Sequence, residues 1–463
     1  MDGVYLSAAW KSSGKTTLSI GLVAALEAKG RRVQPFKKGP DYIDPMWLGV
    51  AAGRACRNLD PRLQEGALAA YYAHHAAGSD LGFVEGSLGL HDGFSLDGSD
   101  SNAAVAKALG LPVILVLDGR SLTRGIAAIL KGLQVFDPGV TIAGAILNRV
   151  ASPRHEGKLR AAIETYTDVP LLGALAESPA LSLVERHLGL MPSNEALDPQ
   201  RTARRLAGVV AQAIDIDRIE AIARQARPVA PVEPIRPRVI PAGGPVVAIA
   251  RDRAFGFYYP DDLDALEAAG ARLMPVDMVR DASLGGADAL FLGGGFPEML
   301  ARALEANAPM RECVRQAAAG GMPIYAECGG LMYLARTLTH DGESHAMAGV
   351  LPVDVVMHAK PVGKGYVTLE ETVHHPWPRG GGPVLGHEFH YSSVENADPG
   401  LRFAYRVTRG HGVVPGHDGI VQDNVLASYA HLRCVAGEDW AKRFVAFVRA
   451  RSATAARAGS GAW

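Results

Sequence analysis

Six prolines stand between residues 228 and 245, namely Pro228, Pro231, Pro234, Pro237, Pro241 and Pro245. Proline fixes φ and has no backbone N–H to donate, so this density excludes a helix or a central strand and favours an extended, semi-rigid chain. The 463 residues also exceed what one hydrophobic core usually serves. We therefore predict two domains, 1–227 and 246–450, joined by a proline-rich linker at 228–245. A small, polar tail at 451–463 is expected to be disordered.

Short apolar runs alternate with helical patterns on both sides of the prolines. Before them we predict strands at Val4–Ala9, Val33–Phe36, Leu81–Glu85, Val113–Asp118 and Ile142–Asn148, with helices such as Leu18–Lys29 between them. After them we predict strands at Val246–Ala250, Ala289–Leu292 and Pro323–Ala326 and helices at Asp261–Ala269, Met299–Ala306, Leu331–Thr337 and Asp439–Arg449. Alternation of this kind is typical of α/β domains with mainly parallel sheets. The Gly- and His-rich stretch beyond Gly349 favours antiparallel strands.

A glycine-containing loop, Ala9-Trp-Lys-Ser-Ser-Gly-Lys-Thr-Thr17, links the first predicted strand to the first predicted helix. In a P-loop, backbone N–H groups approach phosphate oxygens, a lysine reaches the β- and γ-phosphates, and a hydroxyl binds Mg²⁺. Gly14, Lys15 and Thr16 supply these groups, although Ala9 replaces the first glycine of the motif. The predicted nucleotide-binding residues are Ser13, Gly14, Lys15, Thr16 and Thr17, with Asn148 as a candidate for reading the purine edge.

Acidic side chains follow the next predicted strands. Asp41 and Asp44 come just after Val33–Phe36, and Glu85 ends its own strand. Parallel strands ending at one sheet edge would bring these carboxylates near the P-loop, where Mg²⁺ needs oxygen ligands. We predict a magnesium site of Thr16, Asp41 and Glu85, with Asp44 positioning metal or substrate. Each carboxylate could instead cap a helix or face solvent in a loop.

A thiol stands on a predicted strand-to-helix turn in Tyr325-Ala-Glu-Cys-Gly-Gly-Leu331. Small neighbours permit a sharp turn, and the helix N-terminus that follows favours a thiolate, so Cys328 is the candidate nucleophile. Gly294, Gly295 and Gly329 are the candidate donors of an oxyanion hole. A Cys nucleophile needs a base, and His431, after a strand-like run late in the chain, is preferred over His387 and His390.

Composition excludes several classes of protein. The formal net charge is −1 with 21% charged residues, which argues against a nucleic-acid partner. No apolar run reaches the length of a transmembrane helix, so we expect no membrane partner, and the N-terminal apolar run is interpreted as a strand. The four cysteines are widely spaced, which argues against a disulfide framework or zinc site and favours a reducing cytoplasm.

The motifs together resemble one family, the cobyrinic acid a,c-diamide synthases, which are glutamine-dependent enzymes that amidate acetate side chains of a corrin precursor. The resemblance spans nearly the whole chain up to about residue 449. It rests on Ser13-Gly-Lys-Thr-Thr17, Phe36-Lys-Lys-Gly-Pro-Asp-Tyr-Ile-Asp-Pro45, Arg57-Asn-Leu-Asp60, Glu85-Gly-Ser-Leu-Gly-Leu-His-Asp-Gly93, Arg186-His-Leu-Gly-Leu190, Ala254-Phe-Gly-Phe-Tyr-Tyr-Pro260 and Ala326-Glu-Cys-Gly-Gly-Leu-Met-Tyr333.

The resemblance implies a P-loop domain like that of dethiobiotin synthetase, followed by a class I glutamine amidotransferase domain of flavodoxin-like fold. It implies ATP and Mg²⁺ as cofactors and L-glutamine and a carboxylated tetrapyrrole as partners. Cys328 would be the nucleophile and His431 its base. Substrate contacts would come from Tyr42, Asp44, Arg57 and Arg186, and Lys37, Lys38 and Arg54 could also pair with substrate carboxylates. A homodimer is compatible with the sequence, which does not fix the oligomeric state.

Other readings stay open. Many class I glutaminases have a Glu two residues after the catalytic His, but Arg433 stands there, so the residue that orients His431 is unassigned. Related enzymes amidate sirohaem or nickel-sirohydrochlorin by the same chemistry. A nucleotide switch of the partitioning-ATPase type would need a lysine at position 10, which is Trp10, and would give Cys328 no role. A free-standing glutaminase would hydrolyse glutamine regardless of Lys15.

Overall fold

The structure is a computed structural model that describes residues 2–181, 183–186, 189–227 and 243–460, with the backbone alone for 185, 186, 189 and 453–460. The chain divides into two compact units, Met1–Arg236 and Pro237–Trp463. Residues 228–242 of the expected linker lie outside the described residues. In the described parts of the chain, no helix is long and apolar enough to cross a membrane.

The N-terminal unit alternates strands and helices. Its strands are β1 (Asp2–Ala8), β2 (Val33–Lys38), β3 (Arg57–Leu59), β4 (Leu81–Glu85), β5 (Val113–Asp118), β6 (Ile142–Val150), β7 (Leu171–Ala176), β8 (Glu185–Arg186) and β9 (Gly189–Leu190). Its helices are α1 (Lys15–Ala28), α2 (Ile43–Ala52), α3 (Leu68–Ala76), α4 (Asn102–Leu109), α5 (Gly125–Phe136), α6 (Pro153–Tyr166), α7 (Pro199–Ala213) and α8 (Ile216–Ala223).

Strands β1 to β7 form one sheet in the order β3-β2-β4-β1-β5-β6-β7, and every pairing given for it is parallel. Helices pack on both faces: Leu22 and Val210 belong to the apolar layer on one face, and Val105 and Leu159 to the layer on the other. The predicted α/β class with a parallel sheet is confirmed. Because β1 lies between β4 and β5, the loop after β1 sits at the centre of the sheet edge.

Two strands of this sheet were not predicted. β3 has three residues, too few to show a period, and pairs with β2 at the edge of the sheet. β7 reads Leu-Leu-Gly-Ala-Leu-Ala, a composition of good helix formers. Its pairing with β6 shows that sheet contacts override local propensity there.

The C-terminal unit begins as a second α/β array and continues with antiparallel strands. Its strands are β10 (Val246–Ala250), β11 (Phe255–Phe257), β12 (Arg272–Val276), β13 (Ala289–Leu292), β14 (Gly294–Gly295), β15 (Ile324–Glu327), β16 (Thr337–His340), β17 (Glu343–Ala346), β18 (Asp354–Met357), β19 (Gly363–Glu371), β20 (Val384–His390), β21 (Ser392–Glu395), β22 (Arg402–Arg409), β23 (His417–Gln422) and β24 (Val425–Ser428). Its helices are α9 (Pro260–Ala268), α10 (Ala301–Ala306), α11 (Ala308–Ala319), α12 (Gly329–Leu334) and α13 (Trp440–Ser460).

The main sheet of this unit has the order β12-β10-β13-β15-β24-β23-β22-β19-β20. The pairs from β12 to β24 are parallel, and the pairs from β24 to β20 are antiparallel. β24 is therefore the strand at which the sheet changes direction. It pairs with β15 in the register Ile324↔Val425 to Glu327↔Ser428.

Each predicted helix differs from its expected limits by at least one residue, α12 and α13 among them. α12 begins at Gly329, directly after Cys328, and Thr337 already belongs to β16, so the helix starts and ends earlier than predicted. α13 continues to Ser460, so residues 451–460 are helical where a disordered tail was expected. The stretch Arg451-Ser-Ala-Thr-Ala-Ala-Arg457 has neither Gly nor Pro and is rich in alanine, which favours continuation of a helix.

Candidate active sites

The loop after β1 has the backbone of a phosphate cradle. Gly14 has φ 84°, and a Cβ there would lie 2.3 Å from Nδ2 of Asn148, so no other residue fits. That Nδ2 donates to the carbonyl of Ser13 at 2.8 Å. α1 then begins at Lys15, so its first N–H groups point into the loop. Asn148 thus holds the loop in place. The sequence analysis expected Asn148 to contact a purine and did not predict this contact with the loop.

Three carboxylates meet one lysine beside this loop. Lys37 Nζ lies 2.5 Å from Asp44 Oδ2, 2.8 Å from Glu85 Oε1 and 3.8 Å from Asp41 Oδ2. Thr16 Oγ1 lies 3.1 Å from the same Asp44 oxygen and 2.9 Å from the same Glu85 oxygen. Adjacent parallel strands β2 and β4 bring Lys37 and Glu85 here, and the starts of α1 and α2 bring Thr16 and Asp44. Lys37, expected to face substrate carboxylates, pairs instead with those of the protein.

The proximity of these charges shifts their pKa values. Burial alone would lower the pKa of Lys37, but Asp44, Glu85 and Asp41 outweigh it and hold that pKa well above its usual range. Burial would raise the pKa of Asp44, yet the Lys37 ammonium lowers it. Burial and the charge of Asp44 raise the pKa of Asp41 to about 7, and burial raises that of Glu85. Asp44 therefore stays ionised beside Lys37, whereas Asp41 and Glu85 hold their protons more tightly than usual.

This arrangement fits a divalent cation. The single hydroxyl proton of Thr16 faces two carboxylates and can satisfy only one of them, so a cation would stabilise the set. In the described ranges no group of three or more His, Cys, Asp or Glu side chains is placed to hold a metal ion by itself. Mg²⁺ commonly takes only one or two carboxylates and completes its shell with water and phosphate oxygens. Thr16, Asp44 and Glu85, with Asp41 nearby, are the residues that could hold it.

A cavity of about 320 Å³ opens next to the loop. It is lined by Gly14, Thr17, Leu18, Asn148, Arg149, Leu175, Ala176, Glu177, Ser178, Leu181, Leu183 and Leu190. Arg149, which the sequence analysis did not select, donates to the carbonyl of Ser12 at 2.6 Å and to Asp118 at 3.0 Å. Its place directly after Asn148 at the end of a strand was the signal available in the sequence. The cavity has a polar side at the loop and an apolar side formed by Leu175, Ala176, Leu181, Leu183 and Leu190, a mixture that suits a nucleoside.

The expected substrate residues are less closely grouped. Tyr42 precedes α2, close in sequence to Asp44, and Arg57 lies on edge strand β3, opposite Phe36 of β2. Arg186 lies in β8, and its side chain is outside the described residues.

In the C-terminal unit, Cys328 stands on a strained turn between β15 and α12. Its φ of 48° and ψ of −100° are rare for a residue with a side chain, and its N–H donates to the Ser428 carbonyl at 2.7 Å. The glycine loop of β14 lies against this turn: a Cβ on Gly329 would come 3.0 Å from the Gly295 nitrogen. A Cβ on Gly294 would come 2.7 Å from Cε1 of His431. The structure therefore brings the thiol, both glycine segments and His431 together.

His431 is held between Cys328 and a carboxylate. Its Nδ1 lies 3.1 Å from Oε2 of Glu327, and it also makes a side-chain hydrogen bond with Cys328. Burial would lower the pKa of His431, but these two contacts outweigh it and raise the pKa to about 10. The sequence analysis did not select Glu327. Its position directly before the thiol was visible, but its pairing with a histidine 104 residues away was not.

The competing histidines occupy other places. His387 pairs through its backbone with His431, and burial together with the nearby His431 charge lowers its pKa to about 3. His390 stacks on Tyr429 with ring centroids 3.8 Å apart and faces Glu388. Within the part of the chain that the structure describes, neither histidine is hydrogen-bonded to Cys328.

Comparison with known proteins assigns each unit to a domain type. Residues 11–190 match the CobQ/CobB/MinD/ParA nucleotide binding domain, and residues 246–438 match the CobB/CobQ-like glutamine amidotransferase domain. A cobyrinate a,c-diamide synthase from Magnetococcus marinus is 46% identical over 97% of this chain and 97% of its own length. The chain belongs to the cobyrinate a,c-diamide synthase family. Members from Methanosarcina barkeri and Salmonella typhimurium are 41% and 37% identical and cover 96% and 94% of the chain.

Membership of the cobyrinate a,c-diamide synthase family confirms the predicted resemblance and the predicted order of domains. The protein is a glutamine-dependent ligase with a nucleotide-binding domain followed by a glutamine amidotransferase domain. Within this family member, the described geometry gives two candidate reaction centres, the phosphate cradle with its carboxylates and the thiol turn with His431.

Proposed function

We propose that this protein amidates the a and c acetate carboxylates of cobyrinate or hydrogenobyrinate, using ATP and glutamine, through an acyl phosphate. The observation that carries the proposal is the 46% identity to a cobyrinate a,c-diamide synthase along 97% of both chains. The two reaction centres supply the chemistry that such a reaction needs. A carboxylate is a poor electrophile until phosphorylation gives it a leaving group, and ammonia must be generated to displace that group.

The phosphate cradle activates the acid in this proposal. Ser13, Gly14 and Thr17 surround the phosphates with N–H and hydroxyl donors, and Lys15 neutralises their charge. Lys15 Nζ donates to the Leu88 carbonyl at 2.5 Å, so the ammonium extends from the phosphate loop to the segment that follows β4. Thr16, Asp44, Glu85 and Asp41 would hold Mg²⁺, which supplies further neutralisation of phosphate charge. The carboxylate oxygen of the substrate attacks the γ-phosphorus, ADP leaves, and the acyl phosphate remains.

The thiol turn makes the ammonia. Because the pKa of His431 is raised, its Nε2 holds the proton that the Cys328 thiol gives up, and the sulfur attacks the amide carbon of glutamine. The amide nitrogen takes that proton and leaves as ammonia, and water then hydrolyses the thioester to glutamate and restores the thiol. N–H groups of Gly294, Gly295 and Gly329 stabilise the oxyanion of each addition step. Ammonia attacks the acyl phosphate, and phosphate departs.

Substrate recognition rests on the family resemblance. Tyr42, Arg57 and Arg186 are assigned to the acid side of the N-terminal site because they stand in the matching motifs. Guanidinium groups bind carboxylates through two parallel hydrogen bonds, which suits a macrocycle that carries several of them. A homodimer is the assembly we propose, to be tested by light scattering on the same preparation.

The test is an incubation of purified protein with ATP, Mg²⁺, glutamine and one acid at a time: cobyrinic acid, hydrogenobyrinic acid, sirohaem or nickel-sirohydrochlorin. Mass spectrometry follows the exchange of a hydroxyl for an amino group. We expect two exchanges on cobyrinic or hydrogenobyrinic acid. Product only with sirohaem or nickel-sirohydrochlorin would show that the substrate is that compound and not cobyrinate or hydrogenobyrinate. No product with any acid would overturn the proposal.

A matched pair of variants separates the centres. Cys328→Ala should lose glutamine-dependent amidation but keep amidation with added ammonium salt, because only ammonia production needs the thiol. Lys15→Ala should lose amidation with either nitrogen source. Loss of ammonium-dependent activity in Cys328→Ala would contradict the assignment of the thiol.

A further inference from the structure

The position that usually completes a Cys-His-Glu triad is filled by Arg433, yet His431 is not left without an orienting carboxylate. We propose that Glu327, the residue directly before the nucleophile, is the positioning residue for His431. In this role it accepts the Nδ1 proton and leaves Nε2 free to take the thiol proton of Cys328. The inference rests on the proposed glutamine hydrolysis and adds a third residue to it.

The carboxylate of Glu327 is oriented by contacts on both oxygens. Oε1 accepts from the Tyr325 hydroxyl at 2.8 Å and from the Leu432 N–H at 3.0 Å. Oε2 then faces Nδ1 of His431 at 3.1 Å. The side chains of Glu327 and His431 are 2% and 4% exposed, so water does not compete for these contacts. A carboxylate that accepts from Nδ1 fixes both the ring orientation and the tautomer of a catalytic histidine.

Arg433 cannot serve in this role because it is a cation and is already committed elsewhere. Its Nε and Nη2 each lie 2.9 Å from Oδ2 of Asp261, and its guanidinium lies over the Tyr259 ring. This buried pair ties the segment after His431 to the start of α9. The triad position has thus become a structural contact, and the orienting charge comes from the strand of the nucleophile.

The groups around His431 leave Glu327 as the anion that faces Nδ1. His387, on the paired segment, stays neutral because burial and the His431 charge lower its pKa to about 3. Asp262, on α9, interacts with Glu327 rather than with the ring: burial and the charge of Glu327 hold its pKa well above the usual range, and it accepts from the Cys434 N–H and the Trp440 indole. Cys328 contacts the imidazole itself.

Glu327→Gln tests this with a defined chemical effect. The Leu432 N–H cannot become an acceptor, so the amide must place its oxygen there and its NH₂ towards His431. Nδ1 then has to accept, which puts the ring proton on Nε2 and blocks transfer from the thiol. We expect glutaminase kcat to fall by about 10³ to 10⁴, the size of effect that a wrong tautomer produces in a serine protease. Glu327→Asp, which keeps the charge, should lose less.

Two further measurements and a control variant distinguish a positioning role of Glu327 from a role in folding. Amidation with added ammonium should persist in Glu327→Gln, because that reaction does not use the thiol turn. Alkylation of the Cys328 peptide by iodoacetamide at neutral pH should slow by about tenfold or more, since a neutral imidazole that already carries a proton on Nε2 cannot take the thiol proton and form the reactive thiolate. Glu371→Gln is the control, because it removes a buried carboxylate that pairs with Arg443 at 3.0 Å in the same unit. It should change neither the ammonium-dependent amidation nor the rate of Cys328 alkylation.

Glutaminase activity of Glu327→Gln close to that of the wild type, or unchanged alkylation of Cys328, would overturn the inference. Equal loss of ammonium-dependent amidation would also overturn it, by showing that Glu327 serves the fold. If the wild-type protein amidates none of the acids, the proposed function fails while glutaminase and alkylation assays still report on Glu327.

Discussion

Replacing Lys37 by Met would remove the one ammonium at the meeting point of Asp41, Asp44 and Glu85. The Met side chain has a similar length and no charge. Lys37 is 3% exposed, and its Nζ lies 2.5 Å from Asp44 and 2.8 Å from Glu85. Without it, three buried or partly buried carboxylates face each other with only the Thr16 hydroxyl between two of them.

The expected loss in the free energy of unfolding is about 3–5 kcal/mol at pH 7.5, the range for removing one partner of a buried ion pair. At that pH the wild-type protein has the full stabilisation from the raised pKa of Lys37 and from the lowered pKa of Asp44. The raised pKa of Lys37 contributes stability that is lost only above its unfolded value of about 10.4. The lowered pKa of Asp44 contributes stability that is lost as the pH falls below its unfolded value of about 3.9.

In the variant, the pKa values of the carboxylates rise, and protonation relieves their repulsion. The loss should therefore shrink as the pH falls from 7.5 to 5.5. Differential scanning calorimetry of the full chain at both pH values measures this. Lys107→Met is the control: its ammonium pairs with Asp137 at 2.5 Å but is 42% exposed, so we expect a loss of about 0–1 kcal/mol.

Added Mg²⁺ should raise the transition temperature of Lys37→Met more than that of the wild type, because a cation can replace the missing ammonium between the carboxylates. A loss in Lys37→Met no larger than that in Lys107→Met, with no dependence on pH, would refute the reasoning. It would mean that the cluster is hydrated enough to tolerate its own repulsion.

Three further outcomes are expected. Gly294→Ala should lose glutamine-dependent amidation and keep the ammonium-dependent reaction in the same assay, because its Cβ would lie 2.7 Å from Cε1 of His431. Burial and a neighbouring ammonium lower the pKa of Lys15 to about 8. The dissociation constant for ATP, measured by calorimetric titration, should therefore rise as the pH increases above 8. Lys15→Ala should not show this pH dependence. Burial and a nearby arginine charge lower the pKa of His375 to about 3, and its Nδ1 accepts from the Trp377 N–H. As the pH falls, His375 therefore takes up its proton in the unfolded chain before it does so in the folded one. The free energy of unfolding, measured with urea, should fall from pH 6.5 towards pH 3, and it should fall less in His375→Gln. An equal fall in both proteins would exclude His375 as the cause.

The sequence predicted most of the elements that carry the two sites. Strands β4, β5, β10 and β13 have the expected limits, because each is an apolar run buried on both faces between clear helical segments. β7 was missed because its leucines and alanines favour a helix locally, and only the neighbouring strand β6 makes it extended. Residues within one motif, such as Gly14 to Thr16, could be selected from local spacing alone.

Contacts between distant segments could not be predicted in the same way. Lys37 was expected to face the substrate, yet the alignment of β2 with β4 places it against Glu85. Glu327 stood beside the nucleophile in the sequence, but its function depends on which strand lies next to β15. That neighbour is β24, and no local pattern in either segment encodes the pairing.

The pairing of β15 with β24 has a consequence for synthesis of the chain. The thiol and its histidine follow the neighbouring strands β15 and β24, but about a hundred residues are made between them, since Glu327 and His431 are 104 positions apart. A ribosome-bound or truncated chain that ends before β24 carries the nucleophile without a base. With the roles proposed for Cys328 and His431, glutamine hydrolysis should start only when nearly the whole domain has been made, so that an incomplete product does not consume glutamine.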